Sequence, residues 1–114
     1  MTIGAYRFGE IEIDGRVYTS DVIITPDHVV DTWWRKEGHR LAVADLGDVV
    51  AAKPDIVVVG TGYLGRMAVS DDARRHLEAH GIRVREARTR HAAQDFNHLQ
   101  EQHARVVAAL HLTC

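Results

Sequence analysis

The sequence holds one cysteine, Cys114, so no disulfide can form within the chain and the fold must rest on an apolar core. Such sparing use of cysteine fits a reducing compartment. Long hydrophobic runs are missing too: Ile56–Val59 and Val106–Leu110, the longest, are far too short to cross a bilayer. The opening Met1–Glu10 lacks a basic stretch followed by an apolar one, so no signal peptide is expected and the expected location is the cytoplasm. Neither sign of charge is in excess. A net charge of −2 gives no overall field that would draw the chain to nucleic acid or a membrane surface, and the aromatic residues that stack on bases are scarce. No low-complexity tract, linker or repeat of solenoid length interrupts the chain.

What remains suits a single domain over residues 1–114. Its apolar content of 46% can supply a core, since a chain of this length buries roughly two thirds of its unfolded surface. The first half reads as strands. Ile11-Glu-Ile13 and Arg16-Val-Tyr18 flank Asp14-Gly15, a dipeptide suited to a tight hairpin turn. Val22–Thr25 and Val29–Trp34 are further short β runs, and Asp45–Ala52 has helical spacing that Pro54 stops. The second half alternates. Ile56–Val59 has the unbroken apolar character of a strand buried on both faces. Ser70 is placed to cap a helix that Gly81 ends, Ile82–Ala87 is a strand, and Thr89 is placed to cap a second helix. That helix would bury Ala92, Ala93, Phe96 and Leu99, and Arg105–Leu112 closes the chain as a strand. This order predicts an α/β core with an added β layer.

Several signatures coincide along the chain: Trp34-Arg-Lys-Glu-Gly-His39, Pro54-Asp-Ile-Val-Val-Val-Gly-Thr-Gly62, His80-Gly-Ile82, Thr89-x-x-Ala92, Phe96-Asn97 and Ala109-Leu-His-Leu-Thr-Cys114. Together they resemble a widespread family of small conserved proteins of unknown function. Its eukaryotic relatives include a mitochondrial respiratory complex I assembly factor and an adipogenesis-associated Mth-domain protein. The likeness covers nearly the whole chain, with departures at Tyr63-Leu-Gly65 and Gln102-His-Ala104. It implies a three-layer fold around a mixed central sheet, the last strand antiparallel to its neighbours, and no established enzymatic activity.

Gly60-Thr-Gly62-Tyr-Leu-Gly65 matches the glycine spacing of a dinucleotide-binding loop, with Glu86 where a ribose-binding carboxylate would lie. Ser70, however, starts the next helix after the motif instead of within it, so a pyrophosphate would miss the helix terminus and no cofactor is expected. The loop is read instead as a backbone concavity at the end of a strand, with Gly60, Thr61 and Gly62 facing a small anionic ligand. Trp34, Arg35, Lys36 and His39 are expected to rim the same cleft, the cations as anion donors and the indole as an apolar wall. The bland alternative is a solvated turn with Trp33 or Trp34 anchoring the core.

Other groupings carry less. His76 and His80 are spaced i, i+4 on a helix but lack a third ligand in the sequence pattern, so no metal is expected. Alternation puts His111 and Cys114 on opposite faces of the last strand, which favours a buried, hydrogen-bonded histidine over a nucleophilic pair. Arg83, Arg85, Arg88 and Arg90 make a small basic stretch, too little for nucleic acid. No residue is assigned a catalytic role. The sequence reads as a non-catalytic binding or assembly-accessory domain whose partner is a protein or a small anion. The alternative is an enzyme acting on an anionic small molecule in the same cleft.

Overall fold

The computed structural model of the chain describes residues 1–102 and 105–114, so His103 and Ala104 of the departing stretch lie outside it. The chain opens with three antiparallel strands, β1 (Ile3–Arg7), β2 (Glu10–Ile13) and β3 (Arg16–Tyr18). Asp14 and Gly15 make the turn between β2 and β3, both with positive φ (50° and 82°), as a tight hairpin requires. Next come β4 (Val22–Ile24), β5 (Val29–Val30), β6 (Arg40–Leu41), a 3-10 turn (Val43–Asp45) and the short α1 (Gly47–Ala51). The remainder is β7 (Ile56–Thr61), β8 (Ala68–Val69), α2 (Asp71–Ala79), β9 (Arg83–Ala87), α3 (Thr89–Glu101) and β10 (Val106–His111).

The central sheet has the order β5-β4-β10-β7-β9. β7 and β10 lie at its middle and every residue of both is buried, which is why their sequences are unbroken apolar runs. Of the two neighbours of β10, β4 is antiparallel, as the family resemblance implies, whereas β7 is parallel. The parallel pairing follows from the two helical crossovers, β7–α2–β9 and β9–α3–β10, each of which returns the chain in the same direction.

Three layers result. On one face of the sheet Ile3, Ile11 and Ile13 of the β1–β3 sheet and Ala92, Ala93 and Phe96 of α3 pack on Ile56, Val58, Ala108 and Leu110. On the other, Trp33, Leu46, Val49, Ala73 and Leu77 pack on Val57, Val59, Val107 and Ala109. Ser70 caps α2 by accepting a hydrogen bond from the Ala73 N–H at 3.1 Å, and Gly81 leaves the helix with φ 73°.

Three expectations need correction. The strand over Val29–Trp34 shrinks to two residues, because Trp33 turns its ring into the core and donates from Nε1 to the Asp45 carbonyl at 3.1 Å. The helix over Asp45–Ala52 divides into the 3-10 turn and α1. Thr89 makes no side-chain cap for α3; its hydroxyl is engaged across the fold instead.

Candidate functional site

Open α/β sheets place ligands beyond the carboxyl ends of their strands, where successive connections leave to opposite faces. Here α2 leaves β7 toward one face and α3 leaves β9 toward the other. A crevice of about 420 Å³ opens at that point, with Thr61, Gly65, Met67, Glu86 and Ala87 in its lining. Glu86, the expected ribose carboxylate, accepts from Arg74 Nη2 at 2.8 Å, and β8 separates the glycine loop from α2.

Beneath the same edge lies a buried polar cluster. Asp21, just before β4, accepts from the Leu112 N–H at 2.7 Å through Oδ1. Its Oδ2 lies 2.8 Å from Arg35 Nη2 and 2.8 Å from His111 Nδ1. The two hydrogens on Nη2 go to Asp21 and to the Gly38 carbonyl, 2.9 Å away, so none is left for His111 Nδ1 at 3.0 Å. The histidine must then donate from Nδ1 to Asp21, which assigns its tautomer from the network. Arg35 stacks over the Trp33 ring at 4.7 Å. Burial works against the ionised Asp21, but the hydrogen bonds from His111, the Leu112 N–H and Arg35 outweigh it and hold the carboxyl below its ordinary value. Arg35 Nε and Nη1 and His111 Nε2 are buried with no hydrogen-bond partner among the described residues.

The glycine loop is closed by the chain itself. The Gly62 N–H donates to Thr89 Oγ1 at 2.9 Å, the Tyr63 N–H to the Thr113 carbonyl at 2.7 Å, and the Arg66 N–H to the Cys114 carbonyl at 3.0 Å. A Cβ on Gly62, whose φ is 107°, would stand 2.5 Å from the Cys114 carbonyl carbon. A Cβ on Gly60 would stand 2.8 Å from both Leu110 Cδ2 and Thr89 Oγ1. Both glycines are therefore demanded by close approach of the protein's own backbone and side chains. Tyr6 adds to this closure: its hydroxyl donates to the Leu112 carbonyl at 2.7 Å, and burial pushes its pKa up to about 12.

The expected site residues thus separate into two sets. Arg35, His39, Gly60, Thr61 and Gly62 meet at one edge, linked by His111, which pairs with Thr61 across β10–β7 and whose ring is 5.9 Å from that of His39. Arg35 is buried there as an internal strut and is no part of a solvent rim. Trp34 is 84% exposed, since Trp33 is the core anchor, and Lys36 is exposed with its N–H directed to Asp45 Oδ1 at 3.3 Å.

Sequence reasoning missed what stands outside the closed loop. Tyr63 and Leu64, between its second and third glycines, are exposed and line a cavity of about 180 Å³ with Arg88, Arg90 and His91. Phe8 meets Tyr63 edge to face at 5.8 Å, and Arg90 lies over the Tyr63 ring at 5.6 Å. Among the described residues neither Arg88 nor Arg90 has a carboxylate partner. The one available signal was the basic stretch itself, in which Arg85 pairs with Asp95 while Arg88 and Arg90, beyond the strand end at Ala87, and Arg83 have no carboxylate partner among the described residues.

The fold recurs in solved structures. A conserved hypothetical protein of Pyrococcus horikoshii is 26% identical, with a TM-score of 0.80 over 100% of both chains. A Bordetella parapertussis protein is 28% identical, with a TM-score of 0.82 over 96% of this chain and 92% of the other. A Mth938-like domain of Bordetella pertussis, 23% identical over 97% of this chain and 85% of its own, shares the fold with a TM-score of 0.80. The family described as a protein of unknown function, DUF498/DUF598, matches residues 3–111. With that match spanning the core, the cluster and the glycine loop alike, the chain belongs to the DUF498/DUF598 family.

Proposed function

We propose that the chain is a non-catalytic binding or assembly-accessory domain that engages a partner protein at the carboxyl edge of its central sheet, beside the glycine loop. The observation that carries this reading is the exposed cluster of Phe8, Tyr63 and Leu64 next to the unpaired Arg88 and Arg90. Aromatic and arginine side chains gathered around a small depression are the composition of binding hot spots. Their loop is pinned beneath by Thr89, Thr113 and Cys114, so little ordering entropy is lost on association. His39, whose ring lies 5.9 Å from that of His111, extends the proposed surface along the Asp21–His111 side of the edge.

The enzymatic alternative draws less support. Asp21 and Tyr6, whose titration clearly shifts, both direct their polar atoms at the protein itself. Neither shift moves its group toward neutrality of pH, as acid–base chemistry requires.

Affinity capture from native cell extract, wild type beside Leu64→Asp and a remote Arg83→Ala control, tests the reading. A partner should be retained by wild type and the control and lost with Leu64→Asp, while the Tm of that variant stays within a few degrees. Equal retention by all three would sink it.

A further inference from the structure

Among the described residues the outer edge of β1 pairs with no strand, since the three-stranded sheet runs β1-β2-β3. Such an edge invites another backbone unless something covers it. Part of it is covered in an unusual way. From α3, Asn97 accepts from the Ile3 N–H at 2.9 Å and donates to the Ile3 carbonyl at 2.8 Å. One turn on, Gln100 accepts from Met1 N at 3.0 Å and donates to the Met1 carbonyl at 2.6 Å. Each carboxamide thus offers one donor and one acceptor to alternate residues, Met1 and Ile3, of the chain entering β1, as a neighbouring backbone would.

The ladder stops at Ile3. The residue one turn back on α3 is Gln94, exposed and without a side-chain partner among the described residues. There a groove of about 420 Å³ opens between strand and helix, lined by Ile3, Ala5, Tyr6, Ala93, Gln94 and Arg90 among others. Arg90 also lines the cavity of Tyr63 and Leu64, so the two depressions meet at that side chain. Among the described residues no carboxylate lines either of them.

We infer that the partner presents an extended, acidic segment that adds to β1 beyond Ile3, sets a carboxylate against Arg90 and places an apolar side chain between Tyr63 and Leu64. This rests on the binding reading above and names the form of the partner. An extended chain suits the groove because strand addition satisfies an open edge through main-chain hydrogen bonds, with pockets selecting side chains. Gln94 would continue the role of Asn97 and Gln100 by bonding to the incoming backbone. Charge complementarity selects the acid: Arg90 stands at the junction with its face on Tyr63 and no carboxylate of its own.

A displayed library of random peptides selected on the immobilised chain is the test, followed by amide hydrogen exchange with an enriched peptide. Enriched peptides should carry Asp or Glu a fixed distance from an aliphatic residue, and should slow exchange in residues 4–7. Arg90→Glu should weaken them at least ~5-fold, and selection on that variant should favour Lys or Arg. Gln94→Ala should weaken binding with the acidic preference unchanged. Enrichment that depends on Leu64 but shows no acidic preference, or leaves exchange in residues 4–7 unaltered, would overturn the strand addition and leave the binding reading standing. Failure to enrich any peptide above the Leu64→Asp background would overturn both.

Discussion

Asp21 shows how one side chain can tie an edge together. It joins the strand before which it stands to Arg35, His111 and the Leu112 N–H, and its exposed fraction of 18% leaves it little solvent. Asp21→Asn should cost roughly 2–4 kcal/mol at neutral pH, because the buried Arg35 charge loses its counterion. The sign of the pH dependence follows from the lowered pKa: the contribution is complete above the ordinary carboxylate value of 3.8 and is lost as pH falls through the folded value. Urea unfolding of both proteins across the acid range should show their difference in stability shrinking below that value; a constant difference would contradict the assignment. None of this was legible locally. A carboxylate ahead of a short strand reads as solvated, and its partner lies 90 positions away. For His111 the alternation of the last strand did suffice: it is buried and hydrogen-bonded, as its place in the pattern required.

Among the elements, those with a strong local signal came out of the sequence nearly whole. β7 and β10 are apolar throughout because both faces are covered, and α2 carries both its Ser70 cap and its Gly81 exit. By contrast β6 and β8 are two residues each, paired only because Leu41 and Val69 lie side by side in the finished fold, and so short a pairing has no period to detect. The start of α3 misleads for a different reason. Thr89 has the residue type and position of a cap, yet its hydroxyl donates to the His111 carbonyl at 2.6 Å while accepting from Gly62. Without it two main-chain groups would be buried unpaired. Thr89→Val should therefore destabilise by roughly 2–4 kcal/mol, and Thr89→Ser by much less, in urea unfolding. If helix capping were its role, the loss would be nearer ~1 kcal/mol and would appear as fraying of α3 alone. The glycine loop is less open than its sequence suggests for a related reason: only the contacts of Thr89, Thr113 and Cys114 reveal that its backbone N–H groups are engaged within the chain.

For the molecule as a whole, the decisive feature is that the last strand lies at the centre. β10 joins β4 to β7 and carries side chains into both core layers, Leu110 into one and Ala109 into the other. Deleting residues 106–114 should abolish the cooperative thermal transition, since several buried side chains at ~1–3 kcal/mol each approach the full stability of a small domain. A truncated chain that still melts cooperatively would overturn the importance given to that strand. The same arrangement governs how the protein can be made. Residues 25–105 separate β4 from its partner β10. At ribosomal rates of about 5–20 residues per second, β4 waits roughly 4–16 s for that partner to be synthesised. Until then β4 and β7 cannot be bridged, and both present apolar edges to the crowded surroundings of the ribosome. The domain must therefore complete its folding only after β10 emerges.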